Sequence, residues 1–183
     1  MTARPFLKWT GGKQWLAPTL SPYLRPPPGR SYFEPFLGGG AMFFAVDPRR
    51  AVVSDANAEL IAAYCGVRDS VERVIDGLES LKNNERTYNR LKRAVPESRV
   101  DRAVRLIYLN KTAFNGIYRV NGSGGFNVPF GNYANPTICQ AERLRAASQA
   151  LRGASLRTCD FGTAIRAARA RDVVYFVCRP SGG

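Results

Sequence analysis

The apolar positions along the 183-residue chain fall into two regimes. Toward both ends they form short β-branched and aromatic runs: Tyr32–Phe36, Ala51–Asp55, Ser155–Phe161 and Asp172–Phe176. Such runs read as strands, and the last has the continuous apolar character of a strand buried on both faces of a sheet. The first run leads into Gly38-Gly39-Gly40 and then into AMFFAV, Ala41–Val46, which reads as the start of a helix. Strand, glycine turn, helix and strand in that order open a doubly wound α/β sheet. In the middle the period changes to that of a helix. Val71, Val74, Ile75, Leu78 and Leu81 keep helical spacing behind Asp69 and Glu72, a plausible capping pair. Asp101 stands where it caps a second helix through Val104, Ile107 and Tyr108. Ile117–Val128 reads as a hairpin around a Gly-rich loop. After Pro136 one helix carries Leu144, Ala147 and Leu151 on a single face, and another lies around Ala164–Ala170 between the last two strands. Leu20–Arg30 is a Pro-rich connection, and no internal repeat is visible.

The predicted architecture is therefore an α/β, Rossmann-like cofactor domain interrupted by a mostly helical insert with a β-hairpin. The boundaries fall at 1–57 and 141–183 for the sheet domain and at 58–140 for the insert.

Charge adds a partner class. The net charge is +13, from 27 Lys and Arg against 14 Asp and Glu, which favours a polyanion, most simply nucleic acid. The absence of histidine excludes a His general base, a Ser-His-Asp triad and Cys/His zinc ligation. The four cysteines, Cys65, Cys139, Cys159 and Cys178, show no CxxC spacing and fit reduced, mostly buried thiols. No apolar leader or membrane-length run is present, so a soluble cytoplasmic protein is expected.

Three segments carry candidate chemistry. FLKWTGGK, Phe6–Lys13, invites a phosphate-loop reading, but Leu7 and Gln14 stand where that loop needs Gly and Ser or Thr. It is either a glycine turn that sets Trp9 and two lysines near a ligand or a surface turn with a packed indole. EPFLGGG, Glu34–Gly40, has Gly38 and Gly40 but Phe43 at the third position of the dinucleotide pattern, which favours a nucleoside over a pyrophosphate. Asp55 ends the next strand at the distance where an acid binds ribose hydroxyls. LNKTAFNGIYRVNGSGGFNVPFG, Leu109–Gly131, holds Lys111 and Arg119, no acid, and alternating aromatics and amides. Arg and Asn read purine edges, and Phe and Ile wedge between base steps. The plainer alternative is a hairpin with an apolar inner face.

Taken together, FLKWTGGK, YFEPFLGGGAMFF, VVSDANAELI, YLNKTAFNGIYRVNGSGGFNVPFG and DVVYF resemble the Dam-type (D12 class) DNA adenine-N6 methyltransferases over nearly the whole chain. The resemblance implies S-adenosylmethionine as cofactor and double-stranded DNA as partner, with no metal, in a cytoplasmic, nucleoid-associated and monomeric protein. It places Trp9, Lys13, Phe36, Gly38, Gly40 and Asp55 at the cofactor, and Asp160 as a candidate for its adenine. Lys8 and Arg119 align with base-contacting positions, and Phe114, Asn115 and Ile117 with residues that enter or support the DNA stack. Pro129 lies in the same base-contacting segment. The family flips an adenine out of the duplex and uses an Asp-Pro-Pro-Tyr tetrad after the fourth strand, whose acceptors hold the N6 amino group. Here those positions are Val177, Cys178, Arg179 and Pro180, and none matches. The expectation is a family member broken after Phe176, with little or no transfer activity. The alternative is a non-catalytic DNA-binding remnant.

Overall fold

The computed structural model describes residues 3–12, 14–122 and 124–177. Four strands form one parallel sheet: β1 (Tyr32–Glu34), β2 (Ala51–Asp55), β3 (Ala154–Thr158) and β4 (Val173–Val174), in the order β3-β2-β1-β4. Phe33 lies opposite Val52 on one side and Val174 on the other, and Val52 lies opposite Ser155. All strand C-termini thus share one edge, where open α/β sheets bind ligands. β1 stops before Pro35, which lacks the N–H to continue the ladder, so the run predicted to reach Phe36 is shorter.

Seven helices accompany the strands among the described residues: α1 (Ala17–Leu20), α2 (Ala41–Val46), α3 (Ala58–Glu79), α4 (Glu85–Arg93), α5 (Arg99–Thr112), α6 (Ala141–Leu151) and α7 (Phe161–Ile165). Several differ from the sequence reading. α3 begins eleven residues before Asp69, with Asn57 Oδ1 accepting the Leu60 amide at 3.1 Å. Asp69 therefore caps nothing; it pairs with Arg68 at 2.7 Å, beside a kink at Ser70. α5 is capped by Ser98, and Asp101 is its third residue: Ser98 Oγ accepts from the Asp101 amide at 3.0 Å and meets Asp101 Oδ2 at 2.6 Å. α7 starts at Phe161, ahead of the expected Ala164, because Asp160 accepts from the Thr163 amide at 3.0 Å. The expected hairpin holds one isolated antiparallel bridge, Val120 with Phe126, in place of a ladder, and a second bridge, Ala113 with Phe130, closes the segment outside it. β4 is an edge strand among the described residues, half-buried where full burial was expected, because only β1 pairs with it.

One hydrophobic cluster runs through the molecule, from Phe6 and Tyr32 through Leu60, Tyr64 and Leu106 to Val128 and Leu151. α3 is its centre: it packs on α5 and α6 and also on β2 and β3. Gly66 permits this approach, because a Cβ there would collide with the Arg99 carbonyl of α5. Arg105, 9% exposed, donates to the Leu91 and Lys92 carbonyls at 2.8 and 3.1 Å, so it answers the orphan acceptors at the end of α4. Tyr88 Oη in turn donates to the Val128 carbonyl at 2.8 Å, fastening the glycine-rich segment to α4. No described helix is long and apolar enough to cross a membrane.

Candidate cofactor cavity and nucleic-acid interface

A cavity of about 490 Å³ opens at the C-terminal edge of the sheet, where β1 and β2 end and β4 leads into Tyr175 and Val177. It gathers four predicted cofactor residues, Trp9, Phe36, Gly38 and Asp55, from three separate motifs. Gly40 stands behind this lining as the left-handed residue that starts α2. Asp160 is also outside it, with both carboxylate oxygens on Thr163, at 3.0 Å to the amide and 2.6 Å to the hydroxyl. Lys13, Cys178, Arg179 and Pro180 lie outside the described residues.

The turn after β1 is shaped from within. Gly38 has φ +49°, and a Cβ there would sit 2.9 Å from Trp9 Cδ1. The glycine thus serves packing against the indole as much as access to a ligand. Asp55 locks the same turn: Oδ2 accepts from the Gly38 amide and Oδ1 from the Asn57 amide, each at 3.0 Å. Trp9 stacks on Tyr118, with ring centroids 5.0 Å apart, so its indole joins the glycine turn to the Leu109–Gly131 segment.

Sequence reasoning missed two groups here. Phe161 stacks on Phe36 at 5.8 Å, and the two half-exposed rings form a flat aromatic rim. Glu34, 3% exposed, lines the cavity and accepts the Tyr32 hydroxyl at 2.7 Å. Burial pushes the Glu34 carboxyl up to about 8, against the opposing pull of the Tyr32 hydroxyl and the Phe43 backbone. A glutamate at the end of an apolar strand, just before a glycine turn, is the signal that marks it. Two carboxyl groups line the cavity and no described basic side chain does, in a chain of net charge +13. That donor set fits a cationic ligand with hydroxyls to donate and a flat ring to stack. No group of three His, Cys, Asp or Glu side chains is gathered among the described residues.

The predicted base-contacting residues form one exposed surface beside this cavity. Phe114, Asn115, Ile117, Arg119 and Pro129 are all solvent-exposed. Phe114 and Ile117, at 53% and 38%, are costly apolar surface unless a partner covers them. Asn115 holds a left-handed conformation, φ +56°, and its amide donates to the Tyr133 hydroxyl at 2.9 Å. Arg119 Nε and Nη2 donate to the Asn127 carbonyl at 3.2 and 3.0 Å, which aims the guanidinium along the outer face. Asn110, one of the amides of the segment that sequence reading offered to purine edges, is buried instead and clamps the surface to the N-terminal segment. Its Oδ1 accepts from the Lys8 amide at 2.8 Å, and its Nδ2 donates to the Lys8 and Gly116 carbonyls at 2.8 and 3.1 Å. Lys8 is thereby fixed next to the turn that displays Phe114 and Ile117. Of the positions aligned with the tetrad, Val177 alone is described; it lines the cavity, and its side chain offers no hydrogen-bond acceptor.

Comparison with known proteins identifies the family. The family model for D12 class N6 adenine-specific DNA methyltransferases matches residues 9–176. A type II methyltransferase of Lactococcus lactis subsp. cremoris, M1.LlaDCHI, is 40% identical over 94% of this chain and 64% of its own length. M.MjaIII, the type II methyltransferase of Methanocaldococcus jannaschii, is 34% identical over 96% of this chain and 68% of its own. The DNA adenine methylase of Escherichia coli K12 is 35% identical over 80% of this chain and 54% of its own. The chain thus spans from about half to two thirds of these relatives. A match that runs from Trp9 in the cavity wall to Phe176 beside it makes this chain a member of the D12 class N6 adenine-specific DNA methyltransferase family.

Proposed function

We propose that residues 1–183 bind S-adenosylmethionine in the strand-end cavity and duplex DNA on the adjoining surface, as an adenine-N6 DNA methyltransferase. We further propose that Val177 leaves this chain impaired in the transfer itself. The observation that carries the reading is the meeting of three distant motifs on one acid-lined cavity, beside a surface of exposed wedges and bases. In this reading residues 58–140 are the target-recognition module, and the sheet domain holds the cofactor.

Bound S-adenosylmethionine supplies an electrophilic methyl group on a sulfonium. Asp55 and Glu34 offer negative or polar oxygens to its charged and hydroxylated parts, and Phe36 with Phe161 offers a stacking face. Phe114 and Ile117 present apolar wedges that offset the cost of opening the base stack, on the order of a few kcal/mol. Asn110 and the Trp9–Tyr118 stack keep the wedge and the cavity in register, and orientation of this kind supplies much of a two-substrate barrier reduction. An adenine N6 gives its electron pair to the methyl carbon as the carbon–sulfur bond breaks to a thioether, and an acceptor for its N–H would stabilise the growing positive charge before a proton is lost. Val177 provides none, and the family match ends one residue before it.

The test uses Trp15→Phe, an exposed position, to leave Trp9 as the sole tryptophan. S-adenosylmethionine should change Trp9 emission saturably, and fluorescent duplex DNA should gain anisotropy with the protein. Tritiated methyl transfer by the unaltered chain should stay near the no-protein control. It should rise when Val177, Cys178, Arg179 and Pro180 become Asp, Pro, Pro and Tyr. Duplex binding with no saturable response to the cofactor would favour a purely DNA-binding role. Robust turnover by the unaltered chain would refute the impairment.

A further inference from the structure

A second cavity, of about 660 Å³, lies beside Lys8 and is lined by Lys111, Arg143, Gln14, Gln140 and Tyr133 among others. Its chemistry is the inverse of the cofactor cavity: three cationic side chains and no acid among the described lining residues. Among the described residues none of the three cations is engaged. Lys111 Nζ, Lys8 Nζ and the Arg143 guanidinium make no hydrogen bond or ion pair there, whereas Glu142, next to Arg143, is taken by Arg145 at 2.7 Å. Lys111 is the last-turn lysine of α5 and is half-buried. Burial first, then the charges of Arg143 and Lys8, push its ammonium down to about 8. Three like charges converge on one pocket with no counter-charge among the described residues, an arrangement a bound anion relieves.

The position of the pocket names the anion. Lys8 is fixed by Asn110 to the wedge turn, and the Tyr133 hydroxyl on the pocket wall accepts the amide of Asn115 in that turn at 2.9 Å. The pocket is therefore continuous with the proposed DNA surface.

We propose that Lys111 and Arg143 form a seat for one phosphodiester of the DNA backbone, beside Lys8 and next to the bases that Phe114 and Ile117 displace. The seat rests on the reading that this surface binds duplex DNA. Phosphate contacts fix register and carry no sequence information directly, so the seat holds the duplex while the wedge turn acts.

The experiment is fluorescence anisotropy of the full chain with two duplexes of different sequence, across a salt series. Each neutralised phosphate adds about 0.9 to the slope of log affinity against log salt. Lys111→Met with Arg143→Gln should lower that slope by about 1 and weaken both duplexes alike, by roughly three- to tenfold at moderate salt. Lys111→Arg should restore the slope. Thermal melting of Lys111→Met should stay at or above the unaltered protein, because a half-buried charge is removed. An unchanged slope, with or without weaker binding, overturns the seat while leaving DNA binding intact. No duplex binding by the unaltered chain overturns the DNA reading itself. Inorganic phosphate is the third arm: phosphorus NMR titration showing submillimolar binding that Lys111→Met abolishes, with an unaltered DNA slope, would assign the pocket to a free anion and refute the backbone seat.

Discussion

Replacing Glu34 by Gln tests the cavity floor through stability. In the folded protein the Glu34 carboxyl is neutral up to about pH 8, against an ordinary value of 4.5. The folded value is raised, so the stability is fully present below pH 4.5 and is lost as pH rises toward 8. Each unit of pH in that window costs about 1.4 kcal/mol, because the unfolded chain releases a proton that the folded chain keeps. The accumulated penalty is on the order of 3 kcal/mol at pH 7 and somewhat under 5 at pH 8 and above. A glutamine keeps the shape and still accepts the Tyr32 hydroxyl, but it has no proton to lose. Guanidinium unfolding of both proteins at pH 5, 6, 7 and 8, followed by circular dichroism, isolates the term, since every other titrating group cancels in the difference. Glu34→Gln should gain on the unaltered protein steadily across the series. A difference constant to within about 0.5 kcal/mol would refute the account of a buried, neutral Glu34.

The same group should report ligand binding. A cation in the cavity favours the Glu34 carboxylate, so titration of S-adenosylmethionine near pH 7 should release protons, measured by calorimetry in two buffers of different ionisation heat; Glu34→Gln should abolish the release. Asn110→Ala strands the Lys8 amide and the Lys8 and Gly116 carbonyls, and chemical denaturation should show a loss of about 2–4 kcal/mol, with weaker duplex binding. Gly38→Ala places a Cβ 2.9 Å from Trp9 Cδ1 at φ +49°, and should shift Trp9 emission and weaken cofactor binding by tenfold or more.

The strands and the short helix α2 were legible because their signals are local: an apolar run, a glycine turn, a change of period. The start of α3 was misjudged because Asp69 and Glu72 have the spacing of a capping pair, whereas Asp69 pairs with Arg68 inside the helix. α4 was missed because it is mostly polar, with Tyr88 its buried residue. The edge position of β4 depends on which strand pairs with it, which the run Val173–Phe176 does not encode. The expected hairpin carried the right turn chemistry, but in place of a ladder Tyr88 holds its end by a long-range side-chain bond to the Val128 carbonyl, and Asn110 holds Gly116 just before its start. At the site, Gly38 and Asp55 were recognisable from motif spacing, and Trp9 and Phe36 from the family resemblance. Glu34, Phe161, the clamp made by Asn110 and the meeting of Lys111 with Arg143 acquire meaning only when distant segments meet.

Calorimetric titration of S-adenosylmethionine into the 183-residue protein and into Phe36→Ala tests the central claim most directly. Phe36 is 46% exposed, so its removal leaves the fold standing while it takes away half of the aromatic rim. The account predicts one saturable site in the unaltered protein, weakened by about tenfold in Phe36→Ala, in line with a lost stacking pair of about 1.5 kcal/mol. No saturable heat, or the same affinity in both proteins, would contradict it.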